Sequence, residues 1–139
     1  MIKKISIAID AMGGDGSPAK IVEGIKIFLN KNKDNSDFII NIFGEEKIIK
    51  EYISKLDVET NNIKIFDSRK VVSDNETPMT AVKNSKGTSM WNCIQHQLEG
   101  KSDISLSAGN TGVLLVISRM ILKMINEVSK PALAGLWPN

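Results

Sequence analysis

The sequence predicts an α/β fold of three layers, α/β/α, with helices on both faces of a mainly parallel sheet. Two observations carry that expectation. Short, β-branched apolar runs alternate with longer segments whose apolar residues recur at helical spacing, the pattern of strand–helix–strand units. Glycine-rich turns directly follow two of those runs, at residues 13–16 and 109–112, where a parallel sheet places its loops. With 139 residues, 42% hydrophobic and 24% charged, the chain has an ordinary globular balance and one domain's worth of length.

The elements follow in order. Residues 4–9 (KISIAI) are short and apolar and lead into a glycine cluster, so they form the first expected strand. Ser17 and Pro18 mark a helix start, Ser as N-cap and Pro at the first helical position. Ile21, Ile25, Phe28 and Leu29 then share one helical face. Residues 37–43 form a second strand closed by Gly44. Residues 45–56 place Ile48, Ile49, Tyr52, Ile53 and Leu56 at helical spacing, and residues 62–66 form a short third strand. The polar stretch 67–77 is expected to be a loop. Pro78 opens a region that is helical at least over residues 89–98. Residues 103–106 form a fourth strand, residues 110–126 a strongly apolar helix, and residues 131–137 the start of a fifth strand. A parallel sheet carries its crevice outside the carboxyl ends of its strands, so a chain stopping at Asn139 is expected to be part of a longer fold.

Composition narrows the function. The formal net charge is +2, and no Lys/Arg run is dense enough to track a phosphate backbone, so nucleic acid is not an expected partner. Cys93 is the sole cysteine, and an internal disulfide is excluded. It is expected to be a buried small hydrophobe, and His96 to be exposed and idle. The apolar run 113–125 is interrupted by Ser118, Arg119 and Lys123, whereas a membrane-spanning helix needs about 20 apolar residues. The opening residues lack the apolar core of a signal peptide, which makes the cytoplasm the expected compartment. No Cys/His/Asp cluster has metal-ligand spacing, and neither metal nor organic cofactor is expected.

Three segments carry chemistry. In residues 10–18 (DAMGGDGSP), Gly13, Gly14 and Gly16 allow positive φ and close ligand approach, ahead of a helix N-terminus suited to an anion. The spacing fits neither the dinucleotide fingerprint nor a P-loop, and Asp10 and Asp15 would repel a pyrophosphate. On the local pattern alone, a tight strand-to-helix turn capped by Asp15 is the favoured account. In residues 107–112 (SAGNTG), Ser107, Asn110 and Thr111 place short donors beside a second helix start, flanked by Gly109 and Gly112. Here an anion cradle and a simple cap by Asn110 or Thr111 both fit. In residues 76–90, Lys83 and Lys86 could meet an anionic group that Ser85, Thr88 and Ser89 hydrogen-bond. The other account is a solvated face with Ser89 as an N-cap.

Together these blocks resemble the PlsX family, acyl carrier protein–phosphate acyltransferase. The resemblance rests on residues 7–15 (IAIDAMGGD) with Pro18, on Pro78 with Ala81 and Val82, on residues 88–90 (TSM), on SAGNTG, and on residues 130–134 (KPALA) with Pro138. It spans the whole chain in the family's order and spacing. It implies an α/β/α fold related to phosphotransacetylases and the isocitrate dehydrogenase group, of which this chain is the N-terminal part. It implies transfer of a fatty acyl group from acyl carrier protein to inorganic phosphate, giving an acyl phosphate for phospholipid synthesis. It further implies a homodimer, peripheral association with the inner face of the membrane, and no cofactor. Phosphate binding falls to Asp10, Gly13, Gly14, Asp15, Lys83, Ser89, Gly109, Thr111 and Gly112, and the catalytic role to Asn110 and Ser107.

Two departures stand out. Gly16 occupies a position where many members carry a bulkier residue, often His, and the 83–89 segment is less basic than the family's usual version. The family is expected to continue for about as many residues again, a second domain's worth, and the 139-residue piece alone to lack turnover. A short-chain phosphotransacetylase using coenzyme A thioesters, or a non-catalytic fragment that binds carrier protein, remain the alternatives.

Overall fold

The computed structural model describes residues 3–33, 37–73 and 77–135. Nine elements follow one another: β1 (Ile5–Asp10), α1 (Ala19–Lys31), β2 (Phe38–Gly44), α2 (Glu46–Ser54), β3 (Ile63–Asp67), α3 (Pro78–Asn84), α4 (Ser89–Leu98), β4 (Ile104–Ser107) and α5 (Thr111–Leu122). The four strands form one all-parallel sheet in the order β3-β2-β1-β4. The three-layer α/β expectation holds.

Strand order decides which helix lies on which face. The chain steps from β1 to β2 to β3 in one direction, and right-handed crossovers put α1 and α2 on one face. The return to β4, on the far side of β1, reverses direction and puts α3 and α4 on the other. Strand alternation matches this. Ile40 and Ile42 of β2 join Ile25, Leu29 and Ile49 in the core on the α1–α2 face. Ala8 and Phe43 turn to the opposite face and pack with Cys93 of α4. A third cluster joins Ala81, Met90 and Ile94 to Val113, Ile117 and Ile121, and seats α5 on α3 and α4.

Several expectations shift. Helix α1 has Pro18 at its N-cap with no side-chain cap bond; the Ser17 hydroxyl donates to the Gly13 carbonyl instead, at 2.5 Å. The buried stripe of α1 is Val22, Ile25 and Leu29, while Phe28 stays 37% exposed. Helix α2 ends at Ser54, two residues short of the expected limit, and buries Ile49. The cap of α4 is Thr88, whose hydroxyl accepts from Trp91 N–H at 3.2 Å, and not Ser89. Helix α5 stops at Leu122 because Lys123 takes φ of 63°, outside the helical range. Residues 131–135 join no strand; the remainder of the expected fifth strand, 136–139, lies outside the described residues, as do 74–76 of the expected loop.

His96 is also not idle. Its ring packs 5.2 Å from Phe43 and 5.0 Å from Phe66, centroid to centroid, and its Nδ1 lies 2.8 Å from Ser102 Oγ. Ser102 in turn accepts from Asn41 Nδ2 at 3.1 Å, and Asn41 also donates to Ser6 Oγ at 2.8 Å. Burial, with the Lys101 charge second, holds the imidazole below its ordinary pKa. This polar network ties α4 to the middle of β2, the start of β1 and the segment leading into β4.

The sheet core should dominate stability. Ile42, wholly buried on the central strand β2, should cost about 2–5 kcal/mol when cut to Ala. Ile27, 52% exposed on α1, should cost far less on the same change. Urea denaturation of the two variants measures the difference, and equal losses would contradict this core assignment.

Candidate functional site

The strand order creates a topological switch point. β1 and β4 are neighbours, yet the helices that follow them leave toward opposite faces, α1 to one side and α5 to the other. Ligands in open α/β sheets bind outside the carboxyl ends of such a strand pair. Both glycine-rich turns, 11–17 and 108–110, lie there.

One buried side chain joins them. Asp10, the last residue of β1, pairs in register with Ser107, the last residue of β4, and is 1% exposed. Ser107 Oγ donates to Asp10 Oδ2 at 2.7 Å and accepts from Gly109 N–H at 3.1 Å. Met12 N–H donates to Asp10 Oδ1 at 3.2 Å. The carboxylate therefore takes a donor from each turn. A buried charge needs such donors to offset its lost hydration.

The glycines let the turns touch. A Cβ on Gly13 would stand 2.7 Å from Asp10 Oδ2 and 2.9 Å from Gly109 N. One on Gly14 would stand 2.5 Å from the Ala108 carbonyl oxygen, and its φ of 89° already requires glycine.

Within the first turn, Ser17 N–H donates to Gly14 O at 3.2 Å and Lys20 N–H to Gly16 O at 3.1 Å, while the N–H groups of Gly13, Gly14, Asp15 and Gly16 take no acceptor among the described residues. At the second, Asn110 Oδ1 accepts from Val113 N–H at 3.1 Å, and the Asn110 carbonyl accepts from Leu114 N–H at 2.9 Å. The cap expected of Asn110 is formed. The N–H groups of Thr111 and Gly112, at the head of α5, take no acceptor among the described residues. That helix start is where an anion would be held.

The structure gathers some of the expected residues and disperses others. Asp10, Gly13, Gly14, Ser107 and Gly109 meet directly, and Asn110, Thr111 and Gly112 continue from them. Ser107, however, spends its proton on Asp10 and does not aim it outward. Ser89 sits on the first turn of α4, buried, its hydroxyl unpartnered among the described residues. Its neighbour Met90 reaches the second turn, its Cε standing 2.9 Å from where a Gly109 Cβ would be. Ser85 and Thr88 bond within their own turn, to the Val82 carbonyl at 3.0 Å and the Ser85 carbonyl at 2.7 Å. Lys83 lies exposed on α3, and Asp15 is exposed at the outer edge of the first turn. Among the described residues no group of His, Cys, Asp and Glu could hold a metal ion. Burial pushes the Cys93 thiol up to about 12, with the Asp10 charge second, which keeps it protonated at neutral pH and unsuited to nucleophilic attack.

Sequence reasoning missed the Asp10–Ser107 link, because nothing local tells which strands become neighbours. It also missed Lys20 and Gly24, which with Ile21, Phe28 and Leu106 line an apolar groove of about 370 Å³ on the α1 face. A larger cavity of about 650 Å³ lies remote from the turns, between the end of α1 and the α2–β3 connection.

The chain is similar to known proteins along its length. Residues 5–139 match the family described as fatty acid synthesis protein. Over its full length the chain is 48% identical to a phosphate acyltransferase of Pelagibacter ubique, covering 40% of that protein. It is 35% identical to one from Ruegeria over 99% of the chain and 36% of the relative, and 39% identical to one from Bacillus pumilus over 95% and 38%. The chain thus spans about 40% of the length of these relatives, so they extend further than the one equal portion expected.

The packed turns allow a direct test. Gly13→Ala should lower stability by about 1–3 kcal/mol, the usual cost of overpacking. Calorimetry that found the wild-type melting temperature would show that the turns do not touch at Gly13.

Proposed function

The chain belongs to the fatty acid synthesis protein family, and from that premise we propose that it supplies the anion-cradling part of a phosphate acyltransferase. The reaction is transfer of a fatty acyl group from acyl carrier protein to inorganic phosphate, making an acyl phosphate for phospholipid synthesis. The observation that carries the proposal is the joining of the two glycine turns by Asp10 and Ser107 at the switch point, with the head of α5 open beside them.

The chemistry suits those residues. A phosphate oxygen attacks the thioester carbonyl carbon, the carbon–sulfur bond breaks, and the carrier leaves as a thiol after taking a proton. Phosphate is an anionic nucleophile at neutral pH, so a strong base is not required. The task left to the protein is to hold an anion and to stabilise charge growing on the carbonyl oxygen. Thr111 and Gly112 N–H serve the first need, with Gly109, Gly13 and Gly14 allowing close approach. Asn110 serves the second with its amide. Ser107 and Asp10 hold the turns in place. Ser89 borders this cradle, while Lys83 and Asp15 would act from its exposed margin. Carrier protein as acyl donor, homodimer formation, a cytoplasmic site of action and peripheral association with the inner membrane face belong to the same proposal. No helix among the described residues is long and apolar enough to cross a membrane.

A chimera tests this, with the chain replacing the matching part of the Pelagibacter ubique relative. Given acyl carrier protein thioester and phosphate, it should form acyl phosphate that hydroxylamine traps. Asn110→Ala in that chimera should lower turnover by about 10²–10³-fold, as loss of an oxyanion donor does. Its stability should fall by only about 1 kcal/mol, the worth of a helix cap. A folded chimera without product would overturn the proposal. Wild-type turnover with reduced stability would leave Asn110 as a cap alone.

A further inference from the structure

The α1 face of the switch point carries a groove whose chemistry changes along its length. Its walls are Ile7 and Ile9 of β1, Ile21 and Phe28 of α1, and Leu106 of β4. Leu106 is 48% exposed and its strand neighbour Ile104 is 45% exposed, so apolar surface lines the open side. The floor is opened by Gly24, in the middle of α1, where an added Cβ would meet nothing within 4 Å. Glycine inside a helix is unfavourable relative to alanine, and here its effect is to deepen the groove.

One end of the groove is polar. Lys20, on the first turn of α1, lines it beside the backbone of Asp10, Ser107 and Ala108. The Lys20 side chain lies over Gly16, its Cε standing 2.8 Å from where a Cβ would be, so the space Gly16 leaves is filled by this lysine. The Lys20 ammonium forms no ion pair or hydrogen bond among the described residues. The Asp10 carboxylate turns to the α4 face by strand alternation and is taken up by Ser107 and Met12, so it does not neutralise Lys20.

We propose that this groove binds the hydrocarbon chain of a long acyl phosphate, with its anionic head at Lys20. The inference rests on the phosphate acyltransferase proposal and names where that product's chain lies. An apolar trough ending in one unpaired cation matches an amphiphile with one negative end. The volume of about 370 Å³ falls in the range of ligand pockets. The trough leads to the carboxyl ends of β1 and β4, so a chain lying in it brings its head to the glycine turns.

The test is binding of 11-(dansylamino)undecanoic acid to the 139-residue chain, followed by dansyl fluorescence. Saturable binding is expected, displaced by dodecanoate and not by acetate or inorganic phosphate. Gly24→Leu, whose Cβ meets nothing within 4 Å, should fill the floor and weaken binding at least tenfold while preserving the melting temperature. Leu106→Asp, at a half-exposed site, should weaken it similarly should Gly24→Leu fail to fold. Lys20→Met should weaken the fatty acid several-fold and leave the dansylated methyl ester unchanged. Absence of saturable binding, or wild-type affinity in the folded groove variants, would overturn the proposal. So would sedimentation showing that the groove is closed by a second copy of the chain, with Gly24→Leu yielding monomers. Acyl phosphate formation by the chimera with no fatty acid binding here would overturn this inference alone. Retained binding with an inactive chimera would overturn the transferase proposal instead.

Discussion

The switch-point geometry depends on one hydrogen bond between Ser107 and Asp10. A carboxylate that is 1% exposed cannot be left without donors, and the two it receives come from different loops. Met12 N–H fixes the turn after β1, and Ser107 Oγ fixes the turn after β4. Those residues are close because β1 and β4 are neighbours, and they are neighbours because the chain reverses direction after β3. Glycine at 13 and 14 then follows as a requirement of contact, since side chains there would strike Asp10, Gly109 or Ala108.

The two turns look alike in sequence. The first is braced by Ser17 and Lys20, whose N–H groups bond back into the glycine loop. The second leads to a helix whose first N–H groups take no acceptor among the described residues, and it is the anion contact we propose. The apolar groove on one side of this pair and the buried α4 start on the other give the switch point an oily flank and a polar one. An enzyme that joins an acyl chain to phosphate needs both kinds of surface within one crevice.

Much of this was legible in the sequence. The strand and helix periods place all four strands and bring out α1, α2, α4 and α5, because each element's burial follows its own local pattern. The polar stretch before Pro78 and the helix α3 after it were less distinct, since α3 is only seven residues long. The glycine turns were also legible as candidate cradles. Strand order was not, because pairing is a long-range choice, and so the Asp10–Ser107 bond could not be read. Ser17 failed as a cap because its hydroxyl found the Gly13 carbonyl within the same loop. His96 was misjudged because its polar neighbours Gln95 and Gln97 say nothing of Phe43 and Phe66, which reach it from other strands.

The central claim is that Asp10 and Ser107 bind the two turns into one unit. A double-mutant cycle with Asp10→Asn and Ser107→Ala, read by urea denaturation, tests it most directly. Residues sharing a buried hydrogen bond should show a coupling energy of about 0.5–3 kcal/mol, with the double variant losing less than the sum of the single losses. Strictly additive losses would mean that the turns are held independently, and would contradict the account.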